Sequence, residues 1–360
     1  MLSDLLTTLL AARAWAICCR CAYNSVQGVP SCSSRTLAAL LKEWGYKGYT
    51  TSDTDAVKDS YANHKYWKSA SEASCRSITD GKCDINSGST YQESLLAGVG
   101  EKICSMADVD ASVERTLTQR FELGLFDPAG SQPLTQLGAS SIATPAIAEL
   151  SLKAAEESLV LLMNRNALLP LSPGTKMAII GPFADDAKPQ MGTHWKGFAC
   201  PDGSLGCVPT IYGAIGAINN ASGGTTSYAP GCRIQTESSA DLSAAVATAR
   251  AADQIVLVLG IDDSIEHESH DRVSIDLPSA QHNLASAIYA LGKPVIVILI
   301  NGGAVSIEQE MDNSETLKGL AIIEAMLPGA RGSEAIANGI FGRHGFGGRL
   351  PYSICKCYIC

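Results

Sequence analysis

Apolar and polar positions in the first third of the chain follow a strand–helix–strand order. Residues 15–23 are apolar enough for a buried strand, and residues 35–44 carry leucines and a tryptophan at helical spacing. A short β-rich run, residues 49–52, comes next and ends abruptly on Asp53. Strand, helix and strand in this order are the repeating unit of an α/β fold, so the pattern predicts such a fold.

A helix over residues 108–122 is predicted at the end of this first region. Asp108 is a good N-cap, apolar residues recur at four-residue spacing behind it, and Gly124 is expected to end the helix. A polar segment with glycine and proline follows, and we place a domain boundary there. The predicted division is a first domain of residues 1–127, a linker of residues 128–150, a second domain of residues 151–353 and an unassigned tail of residues 354–360.

Continuous apolar runs alternate with amphipathic stretches through the second domain. Runs of this kind are typical of strands that are buried on both faces of a parallel sheet. The pattern predicts a doubly wound or sandwich-type α/β domain. Its strands are expected at residues 177–181, 255–260, 295–300 and 320–326, and its helices at residues 147–160, 240–252, 279–291 and 333–341.

The composition narrows the class of protein. The chain has 360 residues, of which 46% are hydrophobic and 18% are charged, so a globular protein is predicted rather than a disordered one. The net charge of −9 argues against nucleic acid or an anionic membrane surface as partner. Thirteen cysteines fit a secreted protein with a few disulfides, or simply buried thiols. No two C-x₂-C pairs lie at the short separation from each other that a zinc site has.

The first residues are apolar but have no basic region before them. Arg13 interrupts the apolar run, so the segment makes a poor signal peptide and is too short for a membrane span. The expected structure is an amphipathic helix with Leu2, Leu5, Leu6 and Leu9 on one face.

Asp53 is the first candidate for chemistry. It stands at the carboxyl end of a predicted strand, where parallel α/β barrels place their active sites. A carboxylate at that position is able to act as nucleophile, base or ligand. Alternatively, Asp53 and Asp55 simply begin the next helix, as aspartates often do.

The densest polar cluster is the loop of residues 262–272, directly after the predicted strand that ends at Gly260. Ligands bind at the carboxyl ends of strands in α/β domains. Seven of the eleven residues of this loop are Asp, Glu or His. A divalent metal site and a solvated loop are therefore both open interpretations.

Two carboxyl groups about 5 Å apart are what a retaining glycosidase requires, one as nucleophile and one as acid/base. Asp53 is the candidate nucleophile, and Glu266 or Glu268 is the candidate acid/base across a domain interface. The acid must carry a proton when the glycosidic bond breaks, and a neighbouring carboxylate or partial burial raises a pKa toward that role. Arg272 would act the other way, and we expect it to orient the loop through Asp271.

Aromatic residues in the polar stretch 57–82 offer a further contact for a sugar. Tyr61, His64, Tyr66 and Trp67 lie in this stretch. Aromatic rings on a loop after a barrel strand are able to stack on a sugar ring. They are also able to form a small local core, and this is the interpretation that we favour.

Several segments, in the same order along the chain, resemble glycoside hydrolase family 3, specifically its β-xylosidase/α-L-arabinofuranosidase branch. Each segment alone is weak, but together they cover nearly the whole chain and are highly specific. The segments are residues 21–32 (CAYNSVQGVPSC), 48–53 (GYTTSD), 120–128 (RFELGLFDP), 161–162 with 168–171, 179–182 (IIGP), 260–272 and 347–351 (GGRLP).

The resemblance implies a fold and an activity. It implies that residues 1–127 are the C-terminal part of a (β/α)₈ TIM barrel and that residues 151–353 are an α/β sandwich domain. It also implies a secreted, retaining, exo-acting hydrolase that releases terminal xylose or arabinose from xylan-type oligosaccharides or polysaccharides. Neither a metal nor an organic cofactor is expected, and neither nucleic acid nor a membrane is an expected partner.

The resemblance also implies roles for single residues. Matched motif by motif, Asp53 is the nucleophile and Glu268 the favoured acid/base, with Glu266 as the alternative. Cys21 and Cys32 match a short disulfide pair. The residues expected to bind substrate are Tyr23, Thr54, which stands where the xylosidases usually have Cys, and Arg272.

The sequence departs from the family pattern in several places. Residues 1–127 are about half of the roughly 250 residues of a complete barrel, so early strands are expected to be missing, as is a C-terminal fibronectin-like domain. The family's Gly-Thr-Asp-x-Asp-Cys-Gly pattern is altered at residues 81–88, and the tryptophan expected near residues 324–329 is absent. An open barrel has exposed edges. The alternative function is therefore a catalytically inactive, truncated or vestigial sugar-binding homologue.

Overall fold

The computed structural model describes residues 18–192, 199–200, 202–268, 270–312 and 317–354. The chain divides into two compact units after Ala139, and each unit is described by itself. The predicted amphipathic helix near the start, residues 15–17 of the first predicted strand and residues 355–360 of the tail lie outside the described residues. Within the described ranges, no helix is long and apolar enough to cross a membrane.

The first unit combines short strands with helices. Its strands are β1 (Cys18–Cys21), β2 (Ser25–Val26), β3 (Val29–Pro30), β4 (Tyr49–Ser52) and β5 (Cys83–Ile85), and its helices are α1 (Arg35–Glu43), α2 (Ala56–Ala62), α3 (Ala70–Thr79), α4 (Thr90–Gly100) and α5 (Met106–Glu122). Strands β1, β4 and β5 form a parallel sheet with β4 in the centre, and β2 and β3 form a short antiparallel hairpin. The α/β class predicted for this region is confirmed.

Side-chain caps explain where two of these helices begin. The Ser34 hydroxyl accepts a hydrogen bond from the Leu37 N–H at the start of α1. At α5 the N-cap is Ser105, and the side chains of Ser105 and Asp108 each accept from the other's backbone N–H. The prediction that Asp108 is itself the N-cap is therefore wrong, because the reciprocal pair of bonds places the carboxylate three residues inside the helix.

A buried ion pair fastens α5 to the sheet. The Asp84 side chain on β5 is only 2% exposed. It accepts hydrogen bonds from the Thr50 N–H at 3.0 Å and from Arg115 Nε and Nη2 at 2.9 and 2.6 Å. Burying a charge is costly unless it is paired and hydrogen-bonded, and these three donors meet that condition.

Disulfides add covalent links within both units. The pair Cys21–Cys32, expected from the resemblance, is confirmed. Crosslinks of this kind persist in oxidising compartments and stabilise a domain mainly by restricting its unfolded state. The other disulfides among the described residues are Cys75–Cys104 and Cys200–Cys207.

The second unit contains a six-stranded sheet. Its strands are β6 (Val160–Arg165), β7 (Lys176–Ile180), β8 (Thr225–Ala229), β9 (Gln254–Gly260), β10 (Val295–Ile300) and β11 (Leu320–Met326), and its helices are α6 (Pro145–Ser158), α7 (Ile211–Ala221), α8 (Ser239–Ala251), α9 (Ser279–Tyr289), α10 (Glu308–Asp312) and α11 (Gly332–Ile340). The strand order is β6–β11–β10–β9–β7–β8. Strand β6 is antiparallel to β11, and all other neighbours are parallel.

Helices cover both faces of this sheet. Successive side chains of a strand point to opposite faces, so Leu257 and Val258 of β9 belong to different cores. Leu257 shares a core with Ile288 of α9, and Val258 shares one with Ile215 of α7. This three-layer arrangement confirms the predicted sandwich-type α/β domain.

The predicted elements of this unit are largely confirmed, and β10 and β11 match the prediction to the residue. Strands β6 and β8 and helices α7 and α10 were not predicted. Strand β6 follows α6 after a single residue, so its apolar start continues the helical pattern. Strand β8 is a polar edge strand, and α7 is rich in small residues. Helix α6 begins inside the segment predicted as a linker.

Candidate functional site

Asp53 follows directly after β4, the central strand of the first sheet. Its backbone N–H donates to the Cys21 carbonyl at 2.9 Å, which extends the pairing of β4 with β1. Its carboxylate accepts from the Thr54 N–H at 2.8 Å and is 15% exposed. The carboxyl edge of a parallel sheet is the position where α/β proteins place reactive groups. Asp53 is thus a fixed but accessible carboxylate.

Arg20 lies beside this carboxylate, and the sequence reasoning missed it. Its Nη1 atom is 3.4 Å from Asp53 Oδ1. Residues alternate in direction along β1, so Arg20 is exposed whereas its neighbour Cys21 is buried. Arg20 and Asp53 are far apart in sequence and meet only because β1 pairs with β4. The only indication of this contact in the sequence was the strand predicted before the one that ends at Asp53.

The turn after Asp53 is braced by the loop after β5. The Thr54 and Ser87 hydroxyls are 3.1 Å apart, and the Asp55 N–H donates to the Ser87 carbonyl at 2.7 Å. Asp55 adopts the left-handed region with φ +61° and makes no side-chain cap bond to α2. A Cβ at Gly88 would lie 2.4 Å from Asp55 Oδ1. Asp55 therefore shapes the turn rather than capping the helix.

Tyr23 and the aromatic stretch lie in the same unit. The Tyr23 side chain is 38% exposed, and its carbonyl accepts from His64 Nε2 at 2.7 Å. Trp67 Nε1 donates to the Ser33 hydroxyl at 3.0 Å, and both Trp67 and Tyr61 pack against the buried core of this unit. The local-core interpretation is confirmed for these two rings.

A cleft of roughly 410 Å³ lies in the second unit. It lies at the carboxyl ends of the parallel strands, where the loop of residues 262–272 was expected to place a ligand-binding site. Several carboxylates and two imidazoles face it, so it suits a polar ligand. Its lining includes Asp186 and Lys188 after β7, Asp262, Glu266, His267, His270 and Asp271 after β9, Gly302 after β10 and Leu327 after β11.

Arg272 holds this loop through Glu266. Its Nε atom donates to Glu266 Oε2 at 2.8 Å, and its Nη2 atom donates to the Ala304 carbonyl. The side chains are only 13% and 27% exposed. The expectation that Arg272 acts through Asp271 is therefore wrong. The loop turns back on itself, and this turn brings the Glu266 carboxylate to the Arg272 guanidinium.

Glu268 lies in that turn. The backbones of His267 and His270 exchange hydrogen bonds of 3.1 and 2.9 Å, and their rings stack with centroids 5.2 Å apart. His267 Nδ1 donates to the Glu268 carbonyl at 2.7 Å. Glu268 is exposed, and no ion pair engages its carboxylate among the described residues. Glu266 and Glu268 are thus in different surroundings.

One group of described residues has the spacing of metal ligands, namely the sulfurs of Cys21, Cys32 and Cys83. Two of them are joined in a disulfide, and burial raises the pKa of the Cys83 thiol to about 12. Metal ligation requires thiolates, so this group does not fit a metal ion.

The chain is thus an α/β protein that carries candidate catalytic carboxylates just after the carboxyl ends of parallel strands. Residues 159–357 match the glycosyl hydrolase family 3 C-terminal domain. The chain therefore belongs to glycosyl hydrolase family 3.

Relatives of the chain include curated β-xylosidases. "Probable beta-D-xylosidase 7" of Arabidopsis thaliana is 36% identical over 338 residues, which are 92% of this chain and 42% of that protein. A "Probable exo-1,4-beta-xylosidase bxlB" of Aspergillus fumigatus is 33% identical over 336 residues, with the same two shares. The chain thus spans about two fifths of the length of the curated relatives that it matches.

Solved structures show the same likeness. The family 3 exo-β-xylosidase XlnD, in complex with a xylobiose aziridine probe, is 29% identical with a TM-score of 0.83, over 93% of this chain and 42% of that one. A β-glucosidase from Listeria innocua in complex with isofagomine is 26% identical with a TM-score of 0.81, over 93% of this chain and 45% of that one.

Proposed function

We propose that the chain is part of a retaining, exo-acting glycoside hydrolase of the β-xylosidase type. Its substrates are xylan-derived oligosaccharides, from which it releases terminal xylose or arabinose. The observation that carries this proposal is Asp53, an accessible carboxylate at the end of the central parallel strand. Membership of glycosyl hydrolase family 3 and the xylosidase relatives support it.

In this proposal Asp53 attacks the anomeric carbon of the terminal sugar, and the bond to the leaving oxygen breaks. A covalent glycosyl–enzyme forms, and water then cleaves it with a second inversion, so the anomeric configuration is retained. An acid/base group protonates the leaving oxygen in the first step and takes a proton from water in the second. The residues supply both functions without a metal or an organic cofactor.

Glu268 is the acid/base that we propose. The acid/base must be free to reach the leaving oxygen of the substrate, and a carboxyl group held in an ion pair with a guanidinium is not. Arg272 engages Glu266 in such a pair, and Glu268 has no such partner among the described residues. Glu266 then fixes the shape of the loop, and Glu268 exchanges the proton.

The residues expected to bind substrate divide into two kinds. Tyr23 is partly exposed, and we propose that it contacts the sugar. Thr54 and Arg272 are already engaged, by Ser87 and Glu266 respectively. We propose that these two shape the binding surfaces that the sugar meets.

The domain assignment is part of the same proposal. Residues 1–127 would be the C-terminal part of a TIM barrel, residues 128–150 a linker, and residues 151–353 the α/β sandwich domain. The parallel β1–β4–β5 sheet supports the barrel assignment. Secretion is proposed as well, and the disulfides support it because such bonds persist in oxidising compartments.

Release of 4-nitrophenol from its β-xyloside by the purified chain tests the nucleophile. We expect Asp53→Asn to abolish release, since the covalent intermediate cannot form. Asp59→Asn, a change on the neighbouring helix α2, is the matched control and is expected to keep the wild-type rate. Labelling by a 2-fluoroxyloside, located by peptide mass spectrometry, should fall on Asp53. Equal rates for wild type and Asp53→Asn would exclude the role.

Azide rescue separates Glu268 from Glu266. Without its acid/base the enzyme should still react with an activated aryl xyloside, since a good leaving group needs little protonation, but not with xylobiose. Azide, which needs no base, should then restore turnover of Glu268→Gln and yield a glycosyl azide. Glu266→Gln should be slowed on both substrates without rescue. Rescue of Glu266→Gln alone would reverse the assignment, and xylose binding without any turnover would favour the vestigial alternative.

A further inference from the structure

A carboxyl group that the proposed reaction does not use is buried beside the cleft. Glu324 lies near the end of β11 with 0% of its surface exposed. Its Oε1 atom accepts from the Met326 N–H at 2.9 Å. Its Oε2 atom has no hydrogen-bond partner among the described residues. A charged oxygen left unpaired at this depth is strongly unfavourable.

A second oxygen without a hydrogen-bond partner belongs to a residue just after the neighbouring strand. Asn301 directly follows β10, is also 0% exposed, and its side chain interacts with that of Glu324. Asn301 Nδ2 donates to the Gly303 carbonyl at 3.0 Å, whereas Oδ1 has no partner among the described residues. A neutral carboxylic acid is a donor. One proton on Glu324 would therefore supply the donor that both oxygens lack.

The backbone conformation of Met326 depends on the Glu324 side chain. The pairing of β10 with β11 shifts between Leu299 and Ile300, and Met326 adopts a left-handed φ of +53°. That conformation is uncommon for a residue other than glycine. The bond from the Met326 N–H to Glu324 holds it, and the Asn301 N–H donates to the Met326 carbonyl at 3.3 Å.

We propose that Glu324 is kept as the neutral acid, and that its proton bridges to Asn301 and so positions the cleft wall formed by Gly302 and Leu327. These two wall residues are the direct chain neighbours of Asn301 and Met326, and both line the cleft. Glu324 is then a positioning residue. Its effect on catalysis rests on the proposed function, whereas the proton on Glu324 does not.

The charges around Glu324 agree with a neutral group. Burial raises the pKa of the Glu324 carboxyl to about 7, and the Met326 N–H and the Asn301 side chain, which both lower it, only partly offset the burial. The titratable group that faces it is Tyr352, whose own pKa is raised by burial and then by the charge of Glu324. Arg272 lowers the pKa of Tyr352 and is paired with Glu266. No cation among the described residues pairs with Glu324.

Urea unfolding of the full chain as a function of pH tests the proposal. Glu324→Gln has the shape of the neutral acid and a donor that does not titrate. Between pH 4.5, the ordinary pKa, and about 7, the wild type should lose stability relative to this variant, because its folded state holds the proton more tightly. The ratio of their unfolding constants should change by up to about 300-fold. Glu149→Gln, an exposed change, should follow the wild type.

Parallel pH profiles for the wild type and Glu324→Gln would overturn the proposal. If that variant does not fold, hydrogen exchange of the wild type gives a second answer. Peptides covering residues 324–329 should lose protection more steeply than those of β9 as the pH rises through about 7, after correction for the intrinsic exchange rate. Equal loss in both would also overturn it. Neither measurement requires catalytic turnover, so both results can be interpreted even if the chain is inactive in the xyloside assay.

Discussion

The ion pair between Arg272 and Glu266 rests against a glycine on the next loop. A Cβ at Gly303 would lie 2.7 Å from Glu266 Oε1 and 3.1 Å from Arg272 Nη2. Gly303 follows β10, whereas the pair belongs to the loop after β9. The absence of a side chain at residue 303 thus lets two loops of the cleft lie in contact.

Gly303→Ala should displace the ion pair, because the distance to Glu266 is shorter than real Cβ contacts allow. Both contacting atoms are the ends of flexible side chains that are able to shift, so we expect hydrolysis of aryl β-xylosides to fall only about threefold, which corresponds to about 0.6 kcal/mol of lost transition-state stabilisation. Gly345→Ala is the matched control, since nothing lies within 4 Å of a Cβ there. Unchanged activity in Gly303→Ala would show that the loops tolerate separation.

Arg272→Met should release Glu266 and leave its carboxylate unpaired in a partly buried position. Breaking a buried pair on one side costs up to about 3–5 kcal/mol, and partial exposure reduces that to roughly 1–3 kcal/mol. Arg272→Lys keeps the charge but loses the planar fork that reaches both Glu266 and the Ala304 carbonyl, so it should recover only part of the loss. Urea unfolding measures both variants. Full recovery by lysine would mean that charge alone matters.

Cys32→Ser should destabilise the first unit by opening the loop that the Cys21–Cys32 disulfide closes. A crosslink over this separation of 11 residues is worth about 2–4 kcal/mol. Thermal unfolding of the variant, compared with the wild type, checks the value. The control is Cys18→Ser, which changes an exposed free thiol. Equal melting temperatures for Cys32→Ser and the control would argue against a stabilising bond.

His282 should make stability depend on pH. Burial lowers the pKa of its imidazole, but the hydrogen bond to Glu310 and the charge of that carboxylate outweigh burial and raise it above 6.5. The two side chains are 2.6 Å apart, and Glu310 is 1% exposed. The folded state therefore binds the proton more tightly than the unfolded state does. This stabilisation is complete below pH 6.5 and is lost as the pH rises through the raised pKa.

His282→Asn supplies the comparison for that prediction. Asparagine keeps a donor for Glu310 but does not titrate, so the wild type should lose stability relative to the variant as the pH rises above 6.5. Subtracting the two curves removes the contributions of other groups such as Glu324. A constant difference across this range would mean that His282 does not change its protonation on unfolding.

The sequence predicted the position of single residues well where their setting is local. Asp53 was identified because a strand ends there, and the Cys21–Cys32 bond because a family motif contains it. Arg20, Gly303 and Glu324 were not identified. Each acts through a partner on another strand or loop, and no local pattern marks such a pairing.

The sequence by itself determined the α/β class, the strands β9, β10 and β11, and the segments that show the family. These follow from hydrophobic periodicity and motif spacing, which are local properties of the chain. Only the tertiary structure decided that Arg272 pairs with Glu266 and not Asp271, that Glu324 is buried beside Asn301, and that β6 runs antiparallel at the sheet edge. The reason is physical: burial and pairing depend on which strands become neighbours, and residues far apart in sequence set that together.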